Sequence, residues 1–268
     1  MFRFAIMLLG LTALLHSPAL AAEPEGKNRL RVLTYNLHHG EGTDGKLDLK
    51  RIAEVIKATQ PDVVALQEVD RNVKRTNQVD QPAEYAKLTA MNAGFARAID
   101  LQGGEYGQVV LSRFPMKAVK THVLPKKEGQ ETRIAFETRI EPTNGLPPFT
   151  FVSTHLHHDD PKIRVEQALK INEIFAKHDG PALIAGDFNA LPESDVMQTI
   201  GKEWKSVTPV GTKHLTSPSS KPRNQIDFIL FRPADRFRVI EVKVIDEKVA
   251  SDHRPVLAVL EWIAPPTN

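Results

Sequence analysis

The segment ALIAGDFNALP, residues 182–192, is an apolar run, residues 182–185, that ends abruptly in Gly186-Asp187-Phe188-Asn189. A short apolar run of this kind predicts a strand that is buried on both faces. A strand that ends in Asp and Asn places these polar groups at the rim of a sheet. Asp187 and Asn189 are separated by one residue, so the period-two alternation of a strand predicts that they face the same way. The segment therefore predicts a polar site at one edge of a sheet.

The same arrangement recurs five more times along the chain. Apolar runs at 30–33, 63–66, 149–152, 228–231 and 256–260 each adjoin a short polar cluster. The clusters are, in chain order, Thr34-Tyr35-Asn36, Gln67-Glu68, Ser153-Thr154-His155, Gln225-Ile226-Asp227 and Ser251-Asp252-His253. Strand ends that bear carboxylates, carboxamides and imidazoles predict one convergent set of metal ligands and acid/base groups. This pattern favours a hydrolase.

The motifs YNLHHG, LQEVD, LSRFP, STHLHH, GDFNALP, QIDFIL and SDHRPV follow one another over about residues 30–263. In order and approximate spacing, the chain resembles the endonuclease/exonuclease/phosphatase family. That family includes DNase I-like nucleases, abasic-site endonucleases, inositol-phosphate 5-phosphatases and neutral sphingomyelinases. The resemblance implies a four-layer α/β/β/α sandwich, in which two packed mixed β-sheets are flanked by helices.

Composition is that of one globular unit. At 268 residues and 41% hydrophobic, the chain predicts a single domain over residues 23–268. The formal net charge is +2, which provides no strong basic field for nucleic acid. Nucleic acid is therefore a partner that the sequence leaves open but does not favour, and we expect a monomer. The chain contains no cysteine, which excludes disulfides and thiol chemistry.

The first 22 residues read as a signal peptide. Arg3 precedes an apolar core at residues 4–15, and Ala19-Leu20-Ala21 is a small-x-small cleavage site. We expect cleavage near Ala21 or Ala22 and a secreted or periplasmic mature protein; an uncleaved anchor is the alternative. The apolar core is shorter than the roughly 20 residues that span a bilayer, and no later segment is long enough.

Periodicity predicts strands that alternate with helices early and late in the chain, with strand pairs between them. Helices are expected at 48–59, with Asp48 as N-cap and Pro61 as a stop signal, at 82–91 and at 161–176. The buried side of the third helix is predicted to include Leu169. Strands are expected at 30–36, 63–67, 95–99, 109–112, 117–123, 133–140, 149–154, 182–186, 225–231, 238–244 and 255–261. This order fits two stacked sheets with helices outside.

A metal site is predicted from Glu68, whose carboxylate is a hard oxygen ligand suited to Mg²⁺ or Mn²⁺. An exposed Glu at a strand end is the alternative. The family resemblance implies that Glu68 is the principal ligand and that Asn36 offers its carboxamide oxygen to the ion or its water. The resemblance also implies that Asp252 lies near the metal, opposite Glu68.

The resemblance further implies that Asp187 orients or deprotonates the attacking water and that Asn189 binds a phosphoryl oxygen. Protonated His155 and His253 would stabilise or protonate the phosphodiester transition state. Each imidazole needs an orienting carboxylate. Asp227 is the predicted partner of His253. Glu105 is the candidate partner of His155, with a solvated loop acid as the alternative.

Substrate contacts are predicted at His38, Gln108, Arg133, Arg164 and Arg223. At Gln108 many relatives have Asn, which leaves a phosphate contact from this position in doubt. Each arginine is weighed against an ordinary surface residue, and His38 against a loop histidine. The run His157-His158-Asp159-Asp160 is read as an exposed polar loop, with a transition-metal site as the alternative.

Together these features predict a Mg²⁺- or Mn²⁺-dependent phosphoesterase that hydrolyses a small or lipid-linked phosphodiester by direct in-line attack of water. A secreted DNase I-like nuclease is the first alternative. A non-catalytic binding module on the same fold is the remote one.

Overall fold

The apolar runs form strands of two β-sheets in the computed structural model, which describes residues 28–209 and 211–264. The strands of this part of the chain are Arg29–Asn36 (β1), Val63–Arg71 (β2), Asn92–Leu101 (β3), Gly104–Ser112 (β4), Met116–Val123 (β5), Ile134–Ile140 (β6), Phe149–His155 (β7), Ala182–Asp187 (β8), Lys205–Ser206 (β9), Asp227–Arg232 (β10), Phe237–Val244 (β11) and Val256–Trp262 (β12). The predicted signal peptide lies outside the described residues.

Each sheet has six strands and contains one parallel pair. The first sheet has the order β11-β12-β1-β2-β4-β3, and the second has the order β5-β6-β7-β8-β10-β9. β1 runs parallel to β2, and β7 runs parallel to β8. The other neighbouring strands are antiparallel. In both sheets the parallel pair lies near the centre, so the carboxyl ends of four central strands are available to build one site.

The helices of the described chain cover the outer faces of the sheets. They are Leu49–Ala58 (α1), Gln81–Thr89 (α2), Pro161–Phe175 (α3) and Asp195–Ile200 (α4). The Asp48 side chain caps α1 by accepting a hydrogen bond from Arg51 N at 3.0 Å, as its sequence position predicts. The short helix α4 and the two-residue strand β9 were not predicted. Among the described residues, no helix is long and apolar enough to cross a membrane.

Three apolar layers hold the fold together. The central layer joins inward-facing residues of both sheets, such as Val32, Ala65, Phe151 and Ile229. A second layer packs α1 and α2 against the first sheet, and a third packs α3 and α4 against the second sheet. The central strands therefore bury most residues on both faces, which explains why their sequences are largely apolar. The structure confirms the predicted four-layer α/β/β/α sandwich.

One residue of α3 departs from its predicted position. Leu169 was expected on the buried side, but it is 52% exposed, so this prediction was wrong. Gln167 is fully buried instead, and its side chain accepts from His157 N at 2.9 Å and donates to Pro125 O at 2.9 Å. These bonds satisfy a buried polar group and fasten the loop after β7 to the helix.

Candidate active site

The polar ends of strands from both sheets meet at one cleft of about 430 Å³. In the second sheet, His155 pairs in register with Asp187, and Asp187 pairs with Asp227 on the adjacent antiparallel strand. From the first sheet, Asn36 at the end of β1 reaches across to Asp187. Six of the predicted site residues line the cleft: Glu68, Arg133, His155, Asp187, Asn189 and His253.

Asp187 lies where these groups converge. Its Oδ1 accepts from Asn189 N at 2.8 Å and its Oδ2 from Asn36 Nδ2 at 3.2 Å. Burial and the neighbouring Asp227 carboxylate raise the pKa of Asp187 to about 7, although His253 and the hydrogen bonds act in the opposite direction. A carboxylate with a pKa near neutrality can accept a proton from water at physiological pH.

The approach of β7 to β8 depends on Gly186. A Cβ atom at this position would lie 1.8 Å from Thr154 O, which no side chain can tolerate. Glycine therefore lets the two parallel strands end side by side. This packing places Asp187 next to His155, with Oδ2 of Asp187 3.6 Å from Nε2 of His155.

His253 forms the predicted pair with Asp227. Its Nδ1 lies 2.9 Å from Asp227 Oδ2, and its Nε2 lies 3.8 Å from Asp187 Oδ2. Burial alone would lower the pKa of His253, but the Asp227 and Asp187 carboxylates outweigh burial and raise it to about 10. His253 is therefore a cation at neutral pH, and its Nε2–H faces the carboxylate of Asp187.

Glu68 projects from a β-bulge that sequence periodicity did not predict. The register between β2 and β4 shifts between Leu66 and Val69. Gln67 points between the sheets, where it accepts from Thr34 Oγ1 and donates to Ser153 Oγ, both at 3.3 Å. Glu68 adopts a left-handed backbone with φ of 59°, and its Oε1 accepts from Asn36 Nδ2 at 2.9 Å.

A bulge re-aims a side chain at the expense of regular pairing, and a left-handed non-glycine residue costs about 1–3 kcal/mol. Asn189 also has a left-handed backbone, with φ of 48°, so it does not continue the strand as the alternation argument assumed. Its backbone N–H nevertheless binds Asp187, and its Nδ2 donates to Leu156 O at 3.0 Å. Strained conformations at two residues of one cleft are typical of functional sites.

Two groups of side chains are candidates for a divalent ion. Ligand atoms of Asp187, Asp227 and His253 lie within 4.8 Å of one another. Nδ1 of His253, however, lies 2.9 Å from Asp227 Oδ2, and the Asp227 and Asp187 carboxylates raise the pKa of His253 in spite of burial, so this imidazole is poorly suited to offer a lone pair to a metal. Glu68 and Asn36 adjoin one another and bear carboxylate and carboxamide oxygens, which suit Mg²⁺ or Mn²⁺. The Glu68–Asn36 pair therefore fits a hard divalent ion better.

Asp252 is attached to the same region through its neighbour. The Ser251 hydroxyl donates to Asn36 O at 2.7 Å and accepts from His253 N at 3.3 Å. These contacts fasten residues 251–253 to the end of β1. Asp252 is partly exposed, and it is not among the described residues that line the cleft.

The partner of His155 differs from the predicted one. Glu105 forms an ion pair with Arg71 and lies 3.9 Å from Arg97 Nε, so it does not orient His155. Arg133 takes that place, with Nη1 2.8 Å from His155 Nδ1. Glu105 is the second residue of β4 and pairs with Arg71 of β2, whereas Arg133 directly precedes β6, the neighbour of β7.

Four further candidates for substrate contact are placed as follows. Gln108 is buried and donates to Ile134 O at 3.1 Å, and Arg164 donates to the carbonyls of His157 and His158. His38 turns back on its own loop. Its backbone N–H donates to Asn36 Oδ1 at 3.0 Å, and its ring Nδ1 lies 3.2 Å from Glu41 O. Arg223 is exposed on the loop before β10. None of the four is among the described residues that line the cleft.

The loop after β7 has a structural role at its first histidine. Nδ1 of His157 accepts from Asp159 N at 3.2 Å and from Asp160 N at 3.3 Å. His158 and Asp159 are exposed. The cluster of possible metal ligands found among the described residues, Asp187, Asp227 and His253, does not include them. The prediction of an exposed loop is therefore wrong for His157, which is buried, but a polar loop still fits the geometry better than a transition-metal site.

The cleft wall includes residues that the sequence analysis missed. Ile99, Leu101 and Tyr106 line it from the β3–β4 hairpin, together with Arg75. Arg75 makes two 2.8 Å bonds to the buried carboxylate of Asp70. The hairpin was detectable in part, because Gln102-Gly103-Gly104 is a turn signal between two strands.

Comparisons with known structures agree with the overall fold. The structure resembles an endonuclease/exonuclease/phosphatase from Beutenbergia cavernae (25% identity, TM-score 0.69, 88% of this chain and 72% of that chain). It also resembles an endonuclease/exonuclease/phosphatase from Bacteroides vulgatus (23% identity, TM-score 0.72, 88% of this chain and 99% of that chain). A third similar structure is a mannosyl-6-phosphatase from Bacteroides thetaiotaomicron (19% identity, TM-score 0.67, 87% of this chain and 100% of that chain).

No curated protein matches the sequence. The model of the Endonuclease/Exonuclease/phosphatase family matches residues 33–253, which include every one of the strand-end clusters described above. The chain therefore belongs to the endonuclease/exonuclease/phosphatase family.

Proposed function

We propose that the protein is a divalent-metal-dependent phosphoesterase that hydrolyses a phosphodiester by direct attack of water. The observation that supports this most strongly is the position of Asp187. This carboxylate, with a pKa near neutrality, lies between the hard-ligand pair Asn36–Glu68 and the ion pair His253–Asp227. Groups suited to act as a base, as an acid and as oxygen ligands for a metal thus adjoin one cleft.

In this proposal Asp187 orients the attacking water and accepts its proton. His253, kept protonated by Asp227, donates its Nε2 proton to the leaving oxygen or stabilises its charge. Asn189 donates an N–H to a phosphoryl oxygen. No serine is among the described residues that line the cleft, and the chain has no cysteine. These two observations favour attack by water over a covalent enzyme intermediate.

The ion would be held by Glu68 and Asn36, with Asp252 as the third candidate ligand. When bound, Mg²⁺ or Mn²⁺ supplies positive charge that polarises the phosphoryl group and offsets the charge that develops on it. Asn36 has a second role that does not depend on the ion, because its Nδ2 donates to Asp187 and to Glu68 and keeps the two carboxylates in place.

The preferred substrate is a compact phosphodiester, small or lipid-linked. A cleft of about 430 Å³ is within the size range of small-molecule sites. The similar structure from Bacteroides thetaiotaomicron is named a mannosyl-6-phosphatase, so phosphomonoesters belong in any test. A secreted nuclease is the alternative, and the net charge of +2 does not favour it.

A substrate panel tests the proposal. Plasmid DNA, RNA, phosphoinositides, sphingomyelin, sugar phosphates and bis-p-nitrophenyl phosphate are incubated with Mg²⁺, Mn²⁺ or EDTA. Metal-dependent hydrolysis of a small diester is expected, and Asp187→Asn should abolish it. No turnover of any phosphoester would contradict the enzyme assignment and favour a binding module on the same fold.

We also propose that the protein is exported, on the basis of the pattern over residues 1–22. The mass of the protein recovered from periplasm or medium tests this. Cleavage near Ala21 or Ala22 is expected, and full-length protein confined to the cytoplasm would contradict it.

A further inference from the structure

We infer that Arg133 is a positioning residue that holds His155 as a neutral imidazole whose single proton is on Nε2. His155 would then serve as a hydrogen-bond donor to a phosphoryl oxygen and not as a proton donor. The second statement rests on the proposed phosphoesterase function, whereas the first follows from the contacts of Arg133 alone.

The direction of one hydrogen bond determines the protonation of His155. Arg133 is 4% exposed, and its Nη1 lies 2.8 Å from His155 Nδ1. A guanidinium group has donors only and keeps its charge in proteins. Nδ1 of His155 must therefore accept this bond through its lone pair. An imidazole with a free lone pair on Nδ1 is neutral and has its proton on Nε2.

The surroundings of His155 act in the same direction. Burial and, next, the charge of Arg133 hold the pKa of His155 well below its usual value. The ionisable groups that face it come from the segment before β6, the loop after β7, the end of β8 and the loop before β12: Arg133, His157, His158, Asp187 and His253. Asp187 is the carboxylic acid among these groups. Because its own pKa is raised, its negative charge near neutral pH is incomplete and stabilises a protonated His155 less.

The other nitrogen of the ring faces the cleft. His155 Nε2 lies 3.1 Å from Asn189 Nδ2 and 3.6 Å from Asp187 Oδ2. Asn189 Nδ2 is fixed as a donor by Leu156 O at 3.0 Å. Two N–H groups cannot satisfy each other, and 3.6 Å is too long for a good bond to Asp187. One shared acceptor, such as a phosphoryl oxygen, would satisfy both donors.

The same guanidinium also orients a second imidazole of the cleft wall. Arg133 Nη2 lies 3.3 Å from His158 Nδ1, and His158 Nε2 lies 2.8 Å from Asp159 Oδ2. The 3.4 Å separation of Arg133 Nη1 from Glu131 Oε1 adds an ion pair. These contacts commit Arg133 to the wall of the cleft. They favour a positioning role for Arg133 over the predicted role of a substrate contact.

Nuclear magnetic resonance of the protein with ¹⁵N-labelled histidine tests the inference without substrate or metal. The ¹⁵N chemical shift of a ring nitrogen differs between its protonated and unprotonated forms. The signals of His155 are identified by their absence in His155→Ala. In the wild type we expect the Nε2–H form of His155 throughout pH 5–9. In Arg133→Met we expect His155 to titrate with a pKa nearer the ordinary value of about 6.5. Arg139→Met, at the far end of β6, is the matched control and should leave the signals unchanged.

Kinetics separate positioning from phosphate binding. Arg133→Met should lower kcat by about 10–100-fold, the range for residues that orient a functional imidazole, with a smaller change in KM. A wild-type His155 that titrates in this range, or that has its proton on Nδ1, would overturn the inference. An Arg133→Met variant that raises KM alone and leaves the tautomer unchanged would also overturn it.

The test of the His155 tautomer remains decisive if Arg133→Met fails to fold or if the proposed function is wrong. If Arg133→Met does not fold, the wild-type spectra still decide the tautomer. If every phosphoester is inert but the Nε2–H form is found and responds to Arg133, the phosphoesterase proposal fails and the positioning role remains.

Discussion

Two buried histidines in one cleft lie against neighbours of opposite charge, which shift their pKa values in opposite directions. His253 lies against the carboxylate of Asp227, which keeps it protonated in spite of burial. His155 lies against the guanidinium of Arg133, which reinforces the effect of burial. The two residues are therefore suited to different tasks, proton donation by His253 and neutral hydrogen-bond donation by His155.

The first prediction concerns His253 and Asp227. His253→Ala should lower kcat by about 10²–10⁴-fold, the usual contribution of a general acid or base. Asp227→Asn should act through the histidine, since the carboxylate accepts the bond from Nδ1 at 2.9 Å. The double variant should then be little slower than His253→Ala alone. Rate measurements on the four proteins check this, and fully additive losses would contradict it.

The second prediction is a pH profile. Asp187 must be deprotonated to accept a proton, and its pKa is about 7, so kcat/KM should fall as the pH drops through 7. His253 must be protonated to donate, and its pKa is about 10, so activity should also fall as the pH rises through 10. Asp227 raises both pKa values. Asp227→Asn should therefore move both the acidic and the basic side of the pH profile to lower pH. A profile that does not move would contradict the roles given to Asp187 and His253.

The third prediction concerns the metal. EDTA should abolish activity, and Glu68→Gln should raise the Mg²⁺ concentration needed for half-maximal rate. The substitution is nearly isosteric at a partly exposed site, so the thermal midpoint of unfolding should change little. Titration of activity with Mg²⁺ and thermal unfolding of the same samples check both parts. Turnover that is unchanged in EDTA would rule out the metal dependence.

At the level of secondary structure, the sequence predicted what depends on local pattern. Strand β8 was found because both of its faces are buried and its residues before Asp187 are apolar or glycine. The bulge at Glu68 was not predictable, because it depends on the pairing of β2 with β4. The partner of His155 was missed for the same reason. Sheet order brings Arg133, and not Glu105, next to the end of β7.

The fourth prediction concerns the turn after β2. Arg75 binds the fully buried carboxylate of Asp70 through two nitrogens, and Thr76 Oγ1 adds a third bond. Arg75→Met would leave a buried charge with one weak partner and should destabilise the protein by about 2–4 kcal/mol. Arg97→Met, which removes the exposed pair with Asp100 and the long 3.9 Å contact with Glu105, is the matched control and should have no measurable effect. Urea unfolding compares the two variants, and equal stability would contradict the prediction.

In the whole molecule, the site is a product of the stacking of two sheets. Asn36 and Glu68 come from the first sheet, whereas Asp187, Asp227 and His155 come from the second. Neither sheet alone contains both the Asn36–Glu68 pair, proposed to hold the metal, and the carboxylates Asp187 and Asp227. The polar crosslink from Gln67 to Ser153, near this edge, ties the sheets together next to the cleft.

The last prediction addresses substrate at the scale of the whole charge distribution. The 35 basic and 33 acidic residues leave a formal charge of +2, so few phosphates of a duplex would be neutralised at once. A protein that neutralises many phosphates loses about 10³–10⁵ in DNA affinity between 50 and 200 mM salt. For this protein we expect slow nicking of supercoiled plasmid and a hydrolysis rate for a small diester that changes little over that range. Both substrates are assayed in parallel, with Asp187→Asn as the control for contaminating nuclease. Efficient plasmid cleavage that falls steeply with salt would overturn the preference for compact phosphodiesters and identify the protein as a nuclease.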